Sequence, residues 1–140
     1  MTQNIPTGNK MEVRFDIRQE KDIVAAAEAV RERAESAGFS TVKQYMLATA
    51  VSELATNIFF YAGHGSIRMK MLETGSRKGI EICANDNGPG IVDLKLALED
   101  NYSTSGGLGV GLPGTRRLMD EFEIKSDPGR GTRVIIRKWL

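Results

Sequence analysis

Ile23, Ala26, Ala27, Val30, Ala34 and Ala37 recur at i, i+3, i+4, i+7, i+11 and i+14. Only a helix gathers that set onto one stripe, and a stripe made largely of alanine lets the helix axis lie close to whatever it covers. Glu28, Glu32 and Glu35 point the other way, to water, and Gly38 supplies a C-cap. Strand patterns flank this helix. Met11, Val13, Phe15 and Ile17 alternate with Glu12, Arg14, Asp16 and Arg18, and Ile67, Met69 and Met71 alternate with Arg68 and Lys70. After the turn Gly75–Gly79, Ile80, Ile82 and Ala84 continue as a hairpin partner. Strands with one apolar face and a helix with one apolar stripe bury each other as two layers.

Ser40 and Thr41 open a second helix, which runs to about Tyr61-Ala62-Gly63 with Leu47, Val51, Leu54, Ile58 and Tyr61 on its apolar side. A third helix is expected over about Leu112–Phe122. Closing strands are expected near Phe122–Ser126 and Thr132–Lys138, around the turn Asp127–Gly131. The predicted fold is α+β, a two-layer α/β sandwich in which three helices cover one face of a mixed sheet. At 140 residues the chain is expected to form one domain, residues 1–140.

Composition removes several functions. Nineteen Lys and Arg nearly cancel eighteen Asp and Glu, so no basic field is available to hold a nucleic-acid backbone. The lone cysteine, Cys83, excludes an internal disulfide. The start, Met1–Gly8, is polar and no apolar run is long enough to cross a bilayer, so the expected location is the cytoplasm, with no membrane partner.

Three segments carry chemistry. On the second helix, Glu53 and Asn57 lie one turn apart at the edge of the buried face. A carboxylate and an amide oxygen so placed can orient a hydroxyl and ligate a hard cation such as Mg²⁺, which accepts one protein oxygen plus phosphates and waters. Next comes Asp86-Asn87-Gly88-Pro89-Gly90-Ile91, directly after a strand. An aspartate there can accept from an exocyclic amine such as that of adenine, and glycines beside it let backbone approach a flat ring. The third is Ser103-Thr104-Ser105-Gly106-Gly107-Leu108-Gly109-Val110-Gly111-Leu112, leading into a helix. Its four glycines expose backbone N–H groups where the helix dipole also favours anions, the chemistry of a phosphate-covering loop.

Gly109-Val110-Gly111-Leu112-Pro113-Gly114 fits G-x-G-x-x-G literally, but no apolar strand precedes it and too little chain follows for a crossover to a parallel strand. It is not a dinucleotide fingerprint. A Walker A motif and the signature set of eukaryotic-type kinases are also absent. His64 has neither a partner acid nor a metal-spaced ligand and reads as a loop residue. Arg116 and Arg117 fit a solvated or partner-facing role as well as a phosphate contact, and Met69 and Met71 read as core.

An E-x-x-x-N helix, a D-x-G-x-G after a strand and a glycine-rich lid, in that order, resemble the N, G1 and G2 boxes of the GHKL ATPases, whose domain is the Bergerat sandwich. Within them, the segments Ile58–Gly63, Ser103–Gly109, Gly111–Gly114 and Arg117–Phe122 are similar to the RsbT-type switch kinases of the stressosome, and the similarity spans nearly the whole chain. The resemblance implies a serine/threonine kinase that uses ATP/ADP and Mg²⁺. Its implied substrates are STAS-domain proteins of the RsbS/RsbR kind, and its release would activate a downstream phosphatase or other output enzyme. Carried onto this chain, Glu53 is the general base, Asn57 the Mg²⁺ ligand and Asp86 the reader of the adenine amine. Gly88 and Gly90 pack beside the base. Ser103, Thr104, Ser105, Gly106, Gly107, Leu108, Gly109, Val110 and Gly111 form the lid, and Thr132 lies near adenine. The same pocket would serve an anti-sigma factor kinase of the RsbW/SpoIIAB type. A detached histidine-kinase module and a gyrase- or Hsp90-like clamp fit less well, lacking a phosphoacceptor dimerisation helix and transducer domains respectively.

Overall fold

The computed structural model describes residues 4–7, 10–90 and 111–140. In chain order they form β1 (Asn4–Thr7), β2 (Lys10–Ile17), α1 (Glu20–Ser36), α2 (Thr41–Asn57), a π-helical segment (Ile58–Ala62), β3 (Gly65–Thr74), β4 (Arg77–Asp86), α3 (Gly111–Leu118), β5 (Glu121–Asp127) and β6 (Gly131–Trp139). The sheet runs β1-β2-β3-β4-β6-β5.

Local chemistry sets the helix ends. The Asp22 carboxylate accepts the backbone N–H groups of Arg18 and Gln19, both at 2.9 Å, closing a capping box at the start of α1. At its other end Gly38 takes φ +95°. The N–H of Gly38 reaches Glu35 O and that of Phe39 reaches Ala34 O, both at 3.0 Å, a Schellman closure. Ser40 caps α2 by accepting from the Lys43 N–H.

The core lies between the sheet and α1 and α2. Ile23, Ala26, Val30 and Ala34 from α1 and Leu47, Val51 and Leu54 from α2 are buried over Val13, Ile17, Ile67, Met69, Ile80, Ile82, Val134 and Ile136. Cross-strand register explains the sheet's share. Met69 pairs with Ile82, which pairs with Ile136, so the inward residues of three strands form one row. Lys138 falls on the same face and is buried, its Nζ donating to Leu118 O at 2.8 Å at the C-terminal end of α3. The other face carries charge. Arg137 pairs with Glu81 at 2.8 Å, Glu121 at 2.9 Å and Glu123 at 3.3 Å. Partly exposed pairs of this kind each stabilise little, so the apolar layer holds the fold.

The α+β sandwich is as expected, but the sheet is antiparallel at every pairing among the described residues rather than mixed. The connection through α3 does join strands running the same way, β4 and β5, yet β6 enters between them and pairs antiparallel with both. The polar start contributes β1, an edge strand in which Pro6 is tolerated. The second helix changes geometry at Ile58. The wider π turn rotates Tyr61 off the apolar stripe, leaving it 44% exposed. The third helix ends at Leu118, and Phe122 belongs to β5. A short amphipathic piece, which the sequence pattern suggests near Val92–Leu98, lies outside the described residues. Among those described, no helix is long and apolar enough to cross a membrane.

Candidate functional site

Asp86 ends β4, with Gly65 opposite it on β3 and Thr132 opposite it on β6. Residues directly opposite share a face, so Asp86 and Thr132 both lie on the helix-covered side at one end of the sheet. The Thr132 hydroxyl shares a hydrogen bond of 2.8 Å with that of Ser126. Asp86 Oδ1 accepts the N–H of Gly88 at 2.9 Å, which fixes the carboxylate plane, while Oδ2 has no partner among the described residues.

Glycines crowd this residue. A Cβ on Gly65 would lie 2.5 Å from Asn85 O and 3.0 Å from Asp86 Cβ, and one on Gly88 would lie 2.6 Å from Ala62 Cβ. Gly131, at φ +111°, would drive a Cβ into the Asp86 carbonyl oxygen, and Gly90, at φ +79°, into the carbonyl of Asp127. The Gly129 N–H donates to Pro89 O at 2.7 Å. The loop Asp86–Gly90 is therefore wedged between the π segment and the β5–β6 turn, with the backbone left bare around one carboxylate.

Glu53 and Asn57 occupy the last two turns of α2. Glu53 is only 6% exposed, unusual for a carboxylate. Asn57 Oδ1 is buried with no hydrogen-bond partner, and an orphaned amide oxygen costs about 1–3 kcal/mol. The π segment begins at the next residue and ties this helix end to the Asp86 loop, Ile58 Cγ2 standing at Gly65 and Ala62 at Gly88. Wide turns of this sort recur at functional sites. The orphaned oxygen fits a hard cation such as Mg²⁺. The described residues contain no cluster of three or more His, Cys, Asp or Glu, so a cation at Asn57 would draw its other ligands from phosphate and water.

The structure thus brings Asp86, Gly88, Gly90 and Thr132 together at one sheet end and places Glu53 and Asn57 on the helix joined to it. Ser103, Thr104, Ser105, Gly106, Gly107, Leu108, Gly109 and Val110 lie outside the described residues. Gly111 opens α3 with φ +66°. His64, Arg116 and Arg117 are exposed.

Residues 15–138 match the model of the histidine kinase-like ATPase domain. The chain belongs to that family. It is 51% identical to the serine/threonine-protein kinase RsbT of Bacillus subtilis over 124 residues, covering 89% of this chain and 93% of the relative. It is 34% identical over 98 residues to the anti-sigma F factor of Thermoanaerobacter sp. (strain X514), 66% of this chain and 67% of the relative. In fold it is similar to the mycobacterial sensor histidine kinase MprB, at a TM-score of 0.54 and 18% identity over 90% of this chain and 95% of that one. Membership of an ATPase family implies a nucleotide ligand.

Sequence reading missed Gly65, Gly131 and Ala62 as walls of this site. Gly65 and Gly131 open strands 21 residues before and 45 residues after Asp86, by the numbering. Only the strand register brings them together. The one available signal was a glycine at the first position of each strand.

Proposed function

We propose that this chain is an ATP-dependent serine/threonine protein kinase of a partner-switching pathway, with STAS-domain proteins as acceptors and an output enzyme that it activates when released. The observation that carries the reading is the pairing of buried Glu53 with the orphaned Asn57 oxygen one turn later, on the helix joined to the Asp86 loop. Asp86 would accept the adenine amine through Oδ2, with Thr132 beside it. The bare backbone at Gly88 and Gly90 would admit the ring, and the N-terminus of α3 would face phosphate. Asn57 would hold Mg²⁺, which supplies charge neutralisation at the phosphate oxygens. Glu53 would take the proton of the acceptor hydroxyl as its oxygen bonds to the γ-phosphorus and the bond from that phosphorus to the ADP oxygen breaks. Without a substrate domain among the described residues, the acceptor must be brought by the partner.

The test is phosphate transfer from ATP to a STAS-domain acceptor. Glu53→Ala is expected to slow transfer about 10²–10⁴-fold while ADP binding persists. Asn57→Ala is expected to lose Mg²⁺-dependent binding and transfer together. A wild-type rate in Glu53→Ala would remove it as the base. The likeness to anti-sigma F factors favours a second reading, in which the same pocket controls capture of a sigma factor. A sigma factor recovered on the ADP-bound protein, in place of a STAS protein with an output enzyme, would select it.

A further inference from the structure

The outer surface of the helix pair carries a second pattern, which meets the core stripe at Ala27. Val24, Ala27 and Arg31 on α1 face Tyr45, Ala48 and Glu53 on α2 across a groove of about 370 Å³. Val24, Ala27 and Arg31 follow helical spacing on α1, as do Tyr45, Ala48, Thr49 and Ser52 on α2, with Glu53 beyond them. Val24 is 71% exposed and Tyr45 56%. The groove wall is already fixed. The Arg31 guanidinium sits 5.6 Å over the Tyr45 ring, donates to Gln44 Oε1 at 3.0 Å, and grips Glu28 at 2.9 and 3.1 Å. Its charge is thus matched, and the groove offers apolar contact rather than a free ion. One end of the groove is Glu53.

We infer that this groove seats the acceptor segment of the protein substrate. Small or apolar side chains beside the acceptor serine or threonine lie over Val24, Ala27, Tyr45 and Ala48, and the hydroxyl arrives at the Glu53 end. The inference rests on the kinase reading above for the role of Glu53. The groove's lining comes from two neighbouring helices and includes the exposed Val24 and Tyr45, so a chain segment can lie along it. An exposed tyrosine, stiffened by an arginine and set among aliphatic groups, is the composition of a binding hot spot. Because Arg31 is matched by Glu28, the groove offers no spare cation to an acidic segment.

The test uses the full chain with the STAS-domain acceptor. Val24→Arg, at an exposed position, is expected to raise KM for the acceptor about tenfold, with the rate at saturating acceptor and the ADP affinity within about twofold. Val42→Arg, on α2 but outside the groove and 66% exposed, is expected to behave as wild type. An unchanged KM in Val24→Arg overturns the inference. So does a change confined to self-association in light scattering, which would make the groove a face between copies. If wild type binds the acceptor but transfers no phosphate, the kinase reading fails by itself. Calorimetric binding of the acceptor then decides the groove: weakening about tenfold in Val24→Arg supports it, and equal affinity overturns it.

Discussion

The two ends of β4 each have a glycine on a neighbouring strand or on β4 itself that tolerates no side chain, for opposite reasons. At Gly79 a Cβ would lie 2.6 Å from Trp139 Cε3. The chain's own indole fills that space, with the Arg77 guanidinium 4.0 Å over the ring and Glu121 accepting from the indole N–H at 2.8 Å. At the Asp86 end, Gly65 and Gly131 would strike backbone and the root of Asp86, and Thr132 is the side chain opposite on β6. A glycine covered by the protein's own aromatic is a packing device. A glycine that keeps backbone bare around a carboxylate leaves the room that the proposed adenine site requires.

Substitutions can break that contrast. The largest effect is expected from Gly131→Ala, whose positive φ and collision with the Asp86 carbonyl displace the carboxylate. Calorimetry should show ATP affinity reduced by about 10²-fold or more, with a loss of stability of about 2–4 kcal/mol in denaturant melts. Asp86→Asn keeps the shape but gives the amine a poorer acceptor, and ATP affinity should fall about tenfold to 10²-fold with the melt nearly unchanged. Equal affinity of wild type for ATP and GTP would remove Asp86 from base recognition. Trp139→Ala should do the reverse, costing about 2–3 kcal/mol of stability while the Kd for ATP stays within twofold. If it weakens ATP as much as Asp86→Asn does, the two ends are not independent.

The smallest effect comes from acid. Hydrogen bonds from the Trp139 indole and then from Arg137 hold the Glu121 carboxyl below its ordinary value of 4.5. Its folded pKa is lowered, so its contribution is present above about pH 4.5 and is lost as pH falls through the folded value. Trp139 is the only tryptophan. Its fluorescence should change below pH 4.5 in wild type, and Glu121→Gln should remove that step.

Much of this contrast could be read from the sequence, because much of it is local. Periodicity located α1 and the core faces of β2, β3 and β4, and Gly38 marked the helix stop that its positive φ confirms. Asp86, Gly88 and Gly90 stood out because they are contiguous. The pairing of Asp86 with Gly65 and Thr132 did not, since register belongs to whole strands and not to windows of sequence. Lys138 was also hidden. A lysine in an alternating strand reads as inward only once its partner, the Leu118 carbonyl, is known. The loss of Tyr61 from the apolar stripe had no local signal either, because Ile58-Phe59-Phe60-Tyr61 scores as an ordinary helical run.

That wide turn has a consequence for the length of the gene product. A π segment is an α-helix holding one residue more than its hydrogen-bond ladder needs. Deleting a single residue between Ile58 and Ala62 would let the ladder close in the ordinary way. Everything after the deletion would, however, turn by about 100° relative to Asn57. Ala62 would leave its seat at Gly88, and the Asn57 end of the helix would lose its fixed distance to the Asp86 loop. At this point the chain keeps a surplus residue whose removal closes the ladder and uncouples the two halves of the site.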